Sequence, residues 1–258
     1  LAFTLAKATN CSFQRIQFTS YVLPTDIIGV SIYNPDTKNF DFKQGPIFAN
    51  IVLADEINRT SPKTQSALLE AMNERRVSVD RKTYTLPEPF MVIATQNPIE
   101  YHGTFPLPES QIDRFMMHIK LGYPETAYEK QALVGQSSLE FLEDMQPVIT
   151  GDEILRMQKM VDAVKVDGSL LDYLMDVINA TRNDEKIRLG ASTRGAQFLL
   201  KAAKANAFYE GRDYVVPEDI KDLAPTVLGH RLILKARTSI YDAELIMKEI
   251  LERISVPV

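Results

Sequence analysis

Ile51-Val52-Leu53-Ala54-Asp55-Glu56 is the stretch on which the fold turns. Four apolar residues without polar alternation read as a strand buried on both faces, as strands of a parallel sheet are. Two carboxylates follow at its carboxyl end, where open α/β sheets bind ligands. One can hold a hard cation such as Mg2+, usually through water, and the next can polarise an attacking water. Phe90-Met91-Val92-Ile93-Ala94 repeats the strand pattern and ends in Thr95-Gln96-Asn97-Pro98. The neutral amide of Asn97 can orient a water beside a phosphate without adding charge, although Asn-Pro is equally a turn signal.

Working outward, Arg15-Ile16-Gln17-Phe18 and Phe115-Met116-Met117-His118-Ile119 are further candidate strands. A helix is predicted over 61–76, with Ser61 as its N-cap, Pro62 at the first position and Ala67, Leu68, Ala71 and Met72 on its apolar face. Residues 77–86 alternate around a polar turn at Asp80–Lys82, the pattern of a β-hairpin. Gly122-Tyr123-Pro124 ends this α/β region. Helices are predicted beyond it over 125–136, 151–163, 168–182, 192–210, 217–224 and 242–254. The expected architecture is an α/β domain over 1–123, a parallel sheet with flanking helices, and a small all-α domain over 124–258.

Composition narrows the function classes. Apolar residues at 45% and charged residues at 24% exclude a disordered or low-complexity chain. Net charge is −5: residues 1–122 balance 12 basic against 12 acidic groups, and residues 123–258 carry 17 against 22. That argues against a nucleic-acid motor or coat and against a basic membrane-surface protein. Cys11 is the single cysteine, so no intrachain disulfide framework forms, which suits a reducing cytoplasm. No run approaches the about 18 apolar residues of a membrane span. His102, His118 and His230 show no metal-ligand spacing and read as structural or surface residues. Arg75-Arg76 and Arg81-Lys82 read as a solvated charged face beside the hairpin. Arg114, in Pro108-Glu-Ser-Gln-Ile-Asp-Arg-Phe115, is by itself a surface ion-pair candidate. Arg194, in Gly190-Ala-Ser-Thr-Arg-Gly195, falls in the first turn of a helix capped by Ser192. A cation there opposes the helix dipole, which hints at a use elsewhere.

Taken in order, these pieces resemble the MoxR family of AAA+ ATPases. The phrases that carry the resemblance are Ile16-Gln-Phe-Thr19, Leu23-Pro-Thr-Asp-Ile-Ile-Gly29, Gly45-Pro-Ile-Phe48, Leu53-Ala-Asp-Glu-Ile-Asn-Arg59, Ala94-Thr-Gln-Asn-Pro98 and Pro106-Leu-Pro-Glu109. Residues 51–56 look like a Walker B strand, 94–98 like sensor 1, 113–115 like an arginine-finger segment and 190–195 like sensor 2. The resemblance implies that ATP and Mg2+ are the cofactors. Asp55 would bind Mg2+ through water, Glu56 would be the catalytic base and Asn97 would position the water. Arg114 would act on a neighbouring subunit's nucleotide, and Arg194 would reach the nucleotide of its own subunit from the lid. Residues 19–45 match the helix-2 insertion of this clade, and 77–86 its pre-sensor-1 hairpin. The family's hexameric, chaperone-like rings remodel client complexes, often with von Willebrand factor A domain proteins.

The family's phosphate-binding loop, Gly-x-x-Gly-x-Gly/Ala-Lys-Thr, is not among the 258 residues. The register of residues 1–19 would end it just before Leu1, so the chain is expected to lack that loop and the strand before it. The expectation is then that the strands at Ile51 and Phe115 miss a neighbour, and that this stretch by itself binds ATP poorly. A magnesium-chelatase-type ATPase subunit and a non-hydrolysing interaction module are the alternative readings.

Overall fold

A computed structural model describes residues 1–96, 104–133, 142, 144–235 and 240–257. Asn97 and His102 lie outside the described residues. The chain begins with α1 (Ala2–Ala8), β1 (Phe13–Gln17) and α2 (Pro24–Ile28), then a hairpin of β2 (Gly29–Asn34) and β3 (Asn39–Gln44). There follow β4 (Ile51–Asp55), α3 (Pro62–Glu74), a second hairpin of β5 (Arg76–Val79) and β6 (Lys82–Thr85), and β7 (Met91–Ala94). The later elements are α4 (Glu109–Ile112), α5 (Thr126–Leu133), α6 (Gly151–Asp162), α7 (Gly168–Asn183) and β8 (Ile187–Leu189). After them come α8 (Thr193–Tyr209), α9 (Pro217–Leu228), β9 (Ile233–Leu234) and α10 (Ile240–Arg253).

The sheet is parallel, in the order β1-β4-β7. Its register sets Gln17 opposite Asp55 and Ala54 opposite Ala94. Ile51, Val52 and Ala54 are buried, as the unbroken apolar run requires. Helix α3 starts where the sequence places it: Ser61 Oγ accepts from the Thr64 N–H, and Pro62 takes the first position. Its buried face is Thr64, Gln65, Leu68, Leu69 and Ala71, two polar residues included. The β5–β6 turn has Asp80 and Arg81 at φ 50° and 66°, the doubly left-handed form that matches strand twist.

Two strand expectations are corrected. The Ile51 strand is not short of a neighbour, because it is the middle strand and pairs on both edges. The strand with one partner is β7, whose other edge carries no strand among the described residues. Residues 115–119 form no strand. Part of their backbone is engaged otherwise: the His118 N–H donates to Thr226 O at 3.1 Å, and the Arg231 guanidinium donates to Phe115 O and Met116 O. An apolar run whose first two carbonyls are taken by a side chain is drawn out of a ladder at its start.

The chain divides into two compact units, each discontinuous in sequence. One comprises Leu1–Leu107 with Tyr123–Arg156, the other Pro108–Gly122 with Met157–Val258. Residue 124 falls within the stretch Tyr123–Arg156 that goes with the first unit. Residues 108–122 go with the second unit because Asp113, Phe115, Met116, His118 and Lys120 bond to Ser192, Thr226, Arg231 and Glu244. The second unit is helical around Leu174, Val177, Ile178, Leu199, Ala203, Ile220, Leu228 and Met247, and adds one short antiparallel pair, β8–β9.

Candidate functional site

Asp55 ends the central strand, and Glu56 turns the chain away in a left-handed conformation, φ 57° and ψ 48°. Such a conformation in a residue with a Cβ is strained and needs fixing by its surroundings. Thr95, the residue after β7, does this. Its Oγ1 accepts from the Glu56 N–H at 2.9 Å, and its carbonyl accepts from the Ile57 N–H at 3.0 Å. The same hydroxyl donates to Asp55 Oδ1 at 2.5 Å. One side chain thereby ties both carboxylate-bearing residues to the neighbouring strand end.

Arg15 and Gln17 are two apart on β1 and share one face of the sheet. Arg15 Nη2 and Nε donate to Asp55 Oδ2 at 2.6 and 3.1 Å. Gln17 Nε2 donates to Glu56 Oε2 at 2.9 Å, and Arg59 Nη1 reaches the same oxygen at 3.0 Å. The Thr95 hydroxyl, and after it the Arg15 guanidinium, holds the Asp55 carboxyl below the usual carboxylate range. Asp55 is therefore an anion at neutral pH. Two carboxylates face two guanidinium groups, so the cluster is balanced in charge. Glu56 Oε1 makes no hydrogen bond among the described residues. Gln65, fully buried, stiffens the short turn Ile57–Arg59 by donating to Ile57 O, Thr60 O and Phe105 O at 3.0–3.3 Å.

The second unit gathers another group around Asp113. Its Oδ1 accepts from Ser192 Oγ at 2.8 Å and from Arg231 Nε at 3.0 Å. Its Oδ2 faces Arg194 Nη1 at 3.5 Å. Ser192 also caps α8 through the Gly195 N–H. Arg194 is thus paired with a carboxylate of its own unit. The Arg114 guanidinium makes no hydrogen bond or ion pair among the described residues. Of the residues singled out from sequence, Asp55 and Glu56 come together in the first unit, Arg114 and Arg194 lie in the second, and Asn97 lies outside the described residues. Thr95, Arg15, Gln17, Arg59, Asp113 and Arg231 were missed. Thr95 and Arg59 sat inside phrases already read as significant, directly after the strand and beside the carboxylates.

Comparison with known proteins agrees with this layout. Residues 1–117 match the family described as ATPase family associated with various cellular activities (AAA). Residues 179–250 match the AAA lid domain. The chain is similar to the uncharacterized protein YeaC of Bacillus subtilis, 48% identical over 98% of this chain and 80% of that protein. It is 41% identical to chaperone MoxR1 of Mycobacterium tuberculosis over 98% of this chain and 70% of that protein. A crystal structure of a candidate ATPase from Cytophaga hutchinsonii superposes with a TM-score of 0.88 at 42% identity, covering 99% of this chain and 81% of that one. A parallel sheet that ends in Asp55-Glu56, a helical lid and relatives at this similarity give one conclusion: the chain belongs to the MoxR family of AAA+ ATPases.

Proposed function

We propose that this protein hydrolyses ATP with Mg2+ and uses the cycle to remodel or activate a client protein complex in the cytoplasm. The observation that supports this most is the pair of carboxylates at the end of β4, both pre-positioned by Thr95. Asp55 suits Mg2+: it is held anionic, and its Oδ1 keeps acceptor capacity beyond the Thr95 hydroxyl. Bound there through water, Mg2+ supplies charge neutralisation at the phosphates. Glu56 offers Oε1 to a water and takes its proton, while Gln17 and Arg59 fix the carboxylate through Oε2. Asn97 orients that water.

Arg114, uncommitted within its own unit, serves the nucleotide of a neighbouring subunit in a homo-oligomeric ring, a hexamer. Arg194 exchanges Asp113 for the nucleotide of its own subunit. A von Willebrand factor A domain protein is the partner this reading favours, and chaperone action is the role carried by the name of the MoxR1 relative. Among the described residues no helix is long and apolar enough to cross a membrane.

The test is Glu56→Gln in the full-length protein. ATP binding should persist, because Asp55 remains to hold Mg2+. Turnover should fall by about 10²–10⁴-fold, the usual contribution of a single base. Near-wild-type turnover would refute the assignment.

A further inference from the structure

Arg231 ends the short 3-10 turn Gly229–Arg231 after α9, and its side chain is 2% exposed. A buried guanidinium has five N–H groups to place. Nε donates to Asp113 Oδ1 at 3.0 Å, and Nη2 to Asp113 O at 3.2 Å. Nη2 also donates to Phe115 O, and Nη1 to Met116 O at 3.3 Å and to Val227 O. Nη1 also lies 2.8 Å from His230 Nε2, and every acceptor but that nitrogen and Val227 O belongs to residues 113–116. The Phe198 ring lies 5.1 Å from the guanidinium carbon. Gly195 leaves room for the Arg231 stem, since a Cβ there would sit 3.1 Å from Arg231 Cδ.

Arg114 is the residue in the middle of this clamp. The carbonyls before and after it are both held by Arg231, while its own side chain is left uncommitted. We propose that Arg231 is a positioning residue for Arg114: it fixes the backbone on both sides and so aims the Arg114 guanidinium at its target. The proposal rests on the reading of Arg114 as acting on the neighbouring subunit's nucleotide. Lysine cannot substitute, because an ammonium has three donors and no planar fork.

Mixed rings of the full-length protein separate the two readings. Arg114→Ala subunits keep Glu56 but cannot serve a neighbour, and Glu56→Gln subunits do the reverse, so mixing them should restore turnover. Arg231→Lys should lose about 10²-fold in kcat, as for a misplaced catalytic group, with nucleotide affinity unchanged. It should be rescued by Glu56→Gln subunits as Arg114→Ala is. The double variant Arg114→Ala/Arg231→Lys should be no slower than Arg114→Ala alone. If Arg114→Ala is not rescued, the Arg114 reading falls. If Arg114→Ala is rescued and Arg231→Lys is not, or Arg231→Lys weakens nucleotide binding, the positioning role falls. Should Arg231→Lys not fold, Asp113→Asn decides by the same mixing test. It keeps Oδ1 as an acceptor but removes the charge that draws Arg231, and rescue supports the proposal where its absence overturns it.

Discussion

Each candidate site holds a close arginine–aspartate pair, Arg15–Asp55 in the first and Arg231–Asp113 in the second, and burial separates them. Arg15 meets Asp55 at 2.6 Å with 59% of the guanidinium side chain exposed. Arg231 meets Asp113 at 3.0 Å with 2% exposed. The carboxylates are alike, each 20% exposed. An exposed guanidinium is solvated with or without its partner, so it can leave when a better cation arrives. A buried one has no water to return to, and every N–H must find an acceptor in the protein. The same chemical pair is thus a replaceable counter-ion at Asp55 and a fixed clamp at Asp113.

Removing one partner should expose the difference. Asp113→Ala strands the Arg231 charge and releases Ser192, so it should cost about 3–5 kcal/mol of unfolding free energy. Chemical denaturation at neutral pH measures this. A loss under about 1 kcal/mol, the range of exposed pairs, would erase the distinction.

Acid sharpens the comparison, because the buried region holds a histidine against its charging. Burial, and then the positive charge of Arg231 at 2.8 Å from Nε2, pushes the His230 pKa down to about 4. A guanidinium only donates, so Nε2 accepts and the ring is neutral. In the unfolded chain the ring takes a proton near its ordinary pKa of about 6.5. Between those values the unfolded state binds the extra proton, so stability is complete above the upper value and falls as pH drops toward the lower one. The loss should approach roughly 3 kcal/mol. His230→Gln should flatten that slope in denaturation series at stepped pH. Equal slopes in both proteins would mean that His230 is charged in the fold.

Reading the sequence alone succeeded where the cause is local. Ile51–Asp55 declares itself because a strand with Ile51, Val52 and Ala54 buried has no polar position to hide behind, and Met91–Ala94, half-buried with Met91 exposed, is read from the same unbroken apolar run. Ser61 and Ser192 cap their helices because a hydroxyl before the first turn answers free N–H groups within three residues. It failed where the cause is distant. The run Phe115–Ile119 has a strand's composition, yet its first two carbonyls go to Arg231, more than a hundred residues on. Arg15 and Gln17 are ordinary polar strand residues until the parallel register sets Gln17 beside Asp55. The β2–β3 hairpin was passed over as part of an insertion, although Asn34 Oδ1 accepts from the Asp36 N–H at 3.0 Å and so builds the turn that Asn34-Pro35-Asp36 advertises.

The smallest effect tests the other side of the comparison. Arg15→Ala should change unfolding free energy by no more than about 1 kcal/mol, and added salt should shrink even that. The reason lies in which group holds Asp55. Its carboxyl is lowered first by the Thr95 hydroxyl and only then by Arg15. With Arg15 gone, Asp55 stays anionic and tied to β7, and Glu56 keeps its Thr95 bond. A depressed carboxyl gives stability that is present above its unfolded pKa and lost as pH falls through the folded one. The acid limb of the Arg15→Ala protein below about pH 4 should therefore stay close to wild type, whereas Thr95→Val should flatten it, because the folded carboxyl then titrates nearer its unfolded value. If Arg15→Ala instead costs as much as Asp113→Ala, exposure is not what divides the two pairs, and Arg15 is a fixed part of the first site rather than a counter-ion waiting to be displaced.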